Sequence, residues 1–286
     1  MPLKGLVRII GALGLALALA GCSAIKLAYN NLPEVSYWWL DRYVDFSEGQ
    51  SLQVREELSR LQRWHRSQEL ERYADLLRRA EQLAGGEVSA AQACALVEEG
   101  RARLQALADQ ARPALVSIAR SVQGSQLSHL ARRYEHTNEE FRRDWIDVSA
   151  ARRLERRLEQ YEDRLESFYG RLTETQRLWL RQQLLASGFD ARQLMAERMR
   201  RQADVLQVLR TLPTLGAAQG QQQVGALLER LQRSPDAASR RHQEQLAQES
   251  CRIVAGIHQQ STPQQRAQAQ KRLRAYQQDL MELARS

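Results

Sequence analysis

Apolar residues recur along this chain at spacings of three, four and seven, without sustained alternation of β-branched and polar residues. The pattern predicts helices and no strands. The strongest run carries Val54, Leu58, Leu61, Trp64, Tyr73, Leu76, Leu77 and Leu83. It predicts one long helix over 48–84, about 55 Å from end to end if unbroken. A shorter helix is expected before it, over 33–44. After it come helices over 90–121, 124–147, 150–169, 174–187, 190–211, 221–233, 237–260 and 263–284. The expected fold is all-α, a multi-helix bundle with one long N-terminal helix and no sheet.

The residues between these runs agree with that division. Ser47-Glu48-Gly49-Gln50 reads as a capping box, in which the hydroxyl accepts from the third helical amide and Gln50 reaches back to the cap amide. The arrangement recurs at Ser89–Gln92, Thr173–Gln176 and Thr262–Gln265, the last with Pro263 at the first helical position. Gln123–Gln126 is a degraded copy. The copies are irregularly spaced, which makes them a reused start signal and not a solenoid repeat. Gly85-Gly86, Gly170, Gly188 and Pro213 mark breaks. Pro113 falls within the pattern Leu104, Leu107, Ala111, Leu115, Ile118 and should kink that helix or split it near Arg112. A flexible linker is expected near 213–223, because Gly216 to Gln223 is polar and has no apolar stripe. Arg152 to Glu166 alternates charge sign around Leu154, Leu158, Tyr161 and Leu165, as a solvated helix face does.

The start of the chain has a different character. Lys4 and Arg8 lead into an apolar run from Ile9 to Ala20, which is shorter than the ~20 residues of a spanning helix. It closes on Leu19-Ala20-Gly21-Cys22, a lipoprotein cleavage site at the end of a secretory leader. Residues 1–21 are therefore expected to be a cleaved signal peptide, and 22–286 a single elongated helical domain. A diacylglycerol on the Cys22 thiol and acylation of the freed amine hold a protein on a membrane without any spanning segment. Ser23 stands where aspartate commonly signals inner-membrane retention. The expected location is the periplasmic face of the bacterial outer membrane.

Charge narrows the partners. The chain carries 42 Lys and Arg against 34 Asp and Glu, a net +8. Two of those bases precede Cys22, so the rest keeps +6, nearly all of it arginine. Such a surface can meet anionic headgroups, acidic polymers or acidic protein segments. Nucleic acid is not expected behind a membrane. Arginine also serves as a helix former whose stem covers apolar surface.

Candidate chemistry is sparse. Cys94 and Cys251 sit at apolar helical positions and are expected to pack as small hydrophobes. A bridge between them is left open, since it needs Cα atoms within about 7 Å. Tyr29, Tyr37, Trp38, Trp39, Tyr43 and Phe46 cluster just after the lipid site. They serve either as an interfacial anchor or as part of the core. The core is the expected role, with Tyr37, Trp38, Trp39 and Tyr43 packed mainly against the 48–84 helix and one Trp left near the membrane. Asp41 and Asp45 lie one turn apart and are expected to make structural hydrogen bonds. His65, His129, His136, His242 and His258 show no ligand spacing, so no metal and no cofactor are expected. No nucleophile motif or phosphate-binding loop appears, and Glu139-Glu140 with Arg142 and Arg143 has ion-pair spacing.

Several segments together resemble a known family. They are Ile25-Lys26-Leu27-Ala28-Tyr29-Asn30-Asn31 after the lipobox, Trp39-Leu40-Asp41-Arg42-Tyr43-Val44-Asp45, and Gln50. Trp64-His65-Arg66, Glu69-Leu70, Tyr73, Asn138-Glu139-Glu140-Phe141 and Leu172-Thr173-Glu174-Thr175-Gln176 extend the likeness. The chain resembles the bacterial lipoproteins of domain of unknown function 6279, departing from that pattern at Gln123–Gln126. The resemblance implies an all-α lipoprotein and supplies no activity. Leu172–Gln176 is also similar to the LTxxQ element of the Spy-type periplasmic chaperones, which bind clients on basic concave surfaces. The function expected is that of a non-enzymatic adaptor or structural binding protein for an envelope partner. Chaperone-like binding of unfolded periplasmic clients is the alternative, and an enzyme with an unrecognised helical site a second one.

Overall fold

The computed structural model describes residues 25–286, so Cys22 and the leader lie outside the described residues. A helical stretch over 25–30 leads into α1 (Leu32–Val44), α2 (Glu48–Gln68) and α3 (Leu70–Ala84). Then follow α4 (Ala90–Ser121), α5 (Gly124–Phe141), α6 (Ala150–Tyr169), α7 (Glu174–Leu185) and α8 (Ala191–Thr211). The chain finishes with α9 (Ala217–Gln232), α10 (Ala237–Gln259) and α11 (Pro263–Arg285). The described residues contain no strand, and the fold is all-α. No helix among them is long and apolar enough to cross a membrane.

Four helices start where the Ser/Thr boxes place them, with Ser47, Ser89, Thr173 and Thr262 at the caps. Elsewhere the structure corrects the pattern. The expected 48–84 helix is two helices that meet at Glu69, where φ is −115°. No Gly or Pro marks the break. Glu69 is buried, with its carboxylate against Arg72 at 2.9 Å and Arg103 of α4 at 3.7 Å. Pro113 does not split α4, which runs on to Ser121. The stretch read as a linker is helical from Ala217, because glycine supplies the fit there: Gly220 is buried and faces Leu212 and Val116. Arg157, expected on a solvated face, is buried. It donates to the Leu184 carbonyl at 3.1 Å and to Ser187 Oγ at 2.9 Å, and its guanidinium lies 4.3 Å from the Phe189 ring centroid.

The capping glutamines do more than cap. Gln50 and Gln126 face each other at the starts of α2 and α5, exchanging side-chain hydrogen bonds of 2.7 and 3.3 Å. Each also donates to a carbonyl at the end of a helix on the opposite side, Gln50 to Ser121 and Gln126 to Asp45, both at 2.8 Å. Gln176 and Gln265 repeat this construction at the starts of α7 and α11 with mutual bonds of 2.9 and 3.0 Å. Gln176 donates to the Gln260 carbonyl at 3.2 Å and Gln265 to that of Arg171 at 3.0 Å. Each amide thus uses both donors and accepts twice, which a carboxylate cannot do.

A capping box alone accepts glutamate as readily as glutamine, but this clasp does not. Gln176→Glu is expected to lower stability by about 3 kcal/mol, because it aims a carboxylate at two buried acceptors. Gln92, exposed and outside any clasp, is the control: Gln92→Glu should stay within about 0.5 kcal/mol of the parent. Equal denaturation midpoints for the two variants would refute the role assigned to the clasp.

Packing divides the core into three clusters, a helical partition without a single centre. Leu154, Leu165, Leu180, Leu184, Ile253 and Ile257 join α6, α7 and α10. Gly256 lets these helices close, since a Cβ there would overlap the Trp179 ring. Val116, Val208, Leu212, Val224 and Leu227 join α4, α8 and α9. Val88, Ala93 and Cys251 form the third beside Cys94. The two cysteines, whose pairing the sequence left open, are bridged, with their Cα atoms 5.4 Å apart. α4 runs from the third cluster to the second, packing on α10 and α9, and α11 lies along α3. The middle of α4 therefore falls between clusters.

Candidate functional site

Where α4 passes between clusters, one side of it stays open. Val97, Leu104 and Leu115 are all exposed, Leu104 by 57%. They are seven and eleven residues apart, close to two and three turns, so they share a face. A groove of about 990 Å³ runs past Leu104, lined on α4 by residues between Glu98 and Gln105. Leu104 and Ala102 of α4, Leu231 of α9, and Leu246 and Ala247 of α10 give it apolar walls. Arg101, Arg201, Arg233 and Arg240 rim it against only two carboxylates, Glu98 and Glu244. Arg101 is paired with Glu98 at 2.6 Å, Arg233 with Glu244 at 3.8 Å and Arg201 with buried Glu197 at 2.8 Å, so the rim keeps a small positive balance.

A buried ion network holds one wall. Glu197 of α8 is 6% exposed and accepts from Arg200 at 2.9 Å, Arg201 at 2.8 Å and Ser234 Oγ at 2.9 Å. Arg200 also donates to the Arg230 carbonyl at 3.0 Å, and Arg230 grips Asp204 with two bonds of 2.8 and 2.9 Å. Burial pushes the Glu197 carboxyl up, but the bonds from Arg200, Ser234 and Arg201 outweigh it and hold the group down at about 2. The bonds from Arg230 hold the Asp204 carboxyl below the usual range against burial. The network fixes the end of α9, from which Leu231 and Arg233 reach the groove.

The residues singled out in the sequence meet elsewhere and make joints. Tyr29 Oη lies 2.9 Å from His65 Nδ1, and Asn30 accepts from Arg66 at 2.6 Å, so the 25–30 stretch is fastened to α2. Asp41 accepts from the Phe46 amide at 2.9 Å, and Asp45 closes α1 at φ 58°. Asn138 joins α5 to α8 through Arg198 and Gln202. His242 bonds the Gly188 carbonyl, His258 bonds Gly86 and Tyr169, and His129 bonds Arg42. His136 pairs with Glu140 at 3.2 Å. Among the described residues no group of three or more His, Cys, Asp and Glu is placed to hold a metal ion.

The aromatic cluster divides. Tyr37 is buried against α2, donating to Ser51 Oγ at 2.9 Å under the Arg55 guanidinium. Tyr43 turns instead toward Tyr134 of α5, with ring centroids 6.2 Å apart. Trp38 and Trp39 are both 59% exposed and not part of the core, a correction to the expected packing. The groove itself went unnoticed in the sequence, because Leu104 and Leu115 sit in an ordinary core pattern. The one available signal was the excess of arginine over acid within 230–241.

A family model described as a family of unknown function, DUF6279, matches residues 42–228. Neither a curated protein nor a solved structure matches the chain.

Proposed function

The chain belongs to the DUF6279 family, whose function is unknown, and we propose that it is a non-enzymatic outer-membrane lipoprotein facing the periplasm. In this reading Cys22 carries the lipid, and the body works as an adaptor that receives a segment of an envelope protein. The observation that carries it is the arginine-rimmed, apolar-walled groove on α4, α9 and α10. Its rim favours a segment with acidic residues, since four guanidinium groups stand there against Glu98, Glu244 and the Glu197 that pairs with Arg201.

The openness of the same groove supports a second reading, chaperone-like binding of unfolded clients. A photo-crosslinking side chain at Leu104 separates the two. An adaptor yields one discrete adduct in the envelope, absent when the probe is moved to exposed Leu178 and lost in Arg233→Glu/Arg240→Glu. A chaperone yields many adducts, and the protein then suppresses aggregation of two unrelated clients without ATP, less well at high salt. No adduct at Leu104 in membrane-located protein overturns both.

A further inference from the structure

We infer that the outward face of α1 is a second membrane contact, an interfacial helix seated among lipid headgroups beside the acyl anchor. The inference rests on the lipoprotein reading of Cys22. Leu27, Leu32, Val35, Trp38 and Trp39 are all exposed, within thirteen residues of one another. At 3.6 residues per turn, Leu32, Val35, Trp38 and Trp39 share one side of α1 with Arg42. Buried Tyr37 takes the opposite side, toward α2. Glu34, at the edge of the outward face, is paired with Arg55. The result is an apolar stripe with two indole rings and one guanidinium.

That composition suits the headgroup zone, where amphipathic rings and arginine settle together. Position selects the bilayer over a protein as occupant. Cys22 precedes Ile25 by three residues, a span of at most about 11 Å. Tyr29 and Asn30 fasten the 25–30 stretch to α2, so α1 begins within roughly 20 Å of the anchor.

The test uses the acylated protein, extracted from membranes and reconstituted in phosphatidylcholine vesicles containing lipids brominated near the headgroup end of the chain. The chain has five tryptophans, Trp38, Trp39, Trp64, Trp145 and Trp179. Bromolipid should quench the emission, and Trp38→Phe/Trp39→Phe should lose most of that quenching while keeping its melting temperature. Quenching that is unchanged in the double variant, with Cys22 shown by intact mass to be acylated, overturns this inference alone. So does shielding of Trp38 and Trp39 from both bromolipid and aqueous acrylamide, which would mean that a second copy of the chain or a co-extracted protein covers them. An unmodified Cys22 overturns the lipoprotein reading and this inference with it.

Discussion

Reduction of the Cys94–Cys251 bridge is expected to remove about 5 kcal/mol of stability, with a fall in Tm of about 10 °C. The bridge joins positions 157 residues apart, and closing so long a loop takes more entropy from the unfolded chain than a short crosslink does. It also ties the start of α4 to α10 at the smallest of the three clusters, where Val88 and Ala93 offer little apolar area of their own. Denaturant unfolding with and without reductant measures the effect. Cys94→Ala/Cys251→Ala should match the reduced parent and ignore reductant. An oxidised parent no more stable than that variant would sink the claim.

How much of this was legible in the sequence follows from the range of each interaction. The caps at Ser47, Ser89, Thr173 and Thr262 are set by residues three apart, so a linear reading finds them. Helix α4 begins and ends where its periodicity does, at Ala90 and Ser121. What those glutamines meet is invisible locally, since Gln50 and Gln126 are 76 positions apart and Gln176 and Gln265 are 89. The break falls at Glu69, whose buried carboxylate faces Arg103 on another helix, and no glycine or proline announces it. Helix α9 begins in a stretch that looks like linker, because Gly220 and Gly225 are small enough to sit against α4 and Arg112. Leu104 was misread for a related reason. A pattern shows which side of a helix is apolar, but the tertiary arrangement decides whether anything covers it.

Replacing Glu197 with Ala is expected to cost about 4 kcal/mol and to loosen the groove wall. The carboxylate is the common acceptor for Arg200, Arg201 and Ser234, and Ser234 is itself buried. Removing one member of a buried charge network leaves the others desolvated and unpaired. The effect also depends on pH. Glu197 ionises at about 2 in the folded chain, against an ordinary value of 4.5. A depressed pKa adds stability above the unfolded value and loses it as pH falls through the folded one. Its contribution, about 3 kcal/mol, is therefore complete above about pH 5, and some 2 kcal/mol of it is gone by about pH 3. Glu197→Gln keeps the shape and removes the titration, so the stability gap between parent and variant should shrink by that amount between about pH 7 and pH 3. Asp204 and Glu249 are also held low and titrate in both proteins, so the gap isolates Glu197. A constant gap would show that the network does not depend on its charge. If the groove is the working surface, Glu197→Ala should also weaken crosslinking from Leu104 at a temperature where the variant remains folded, because Arg201 and the end of α9 lose the group that positions them.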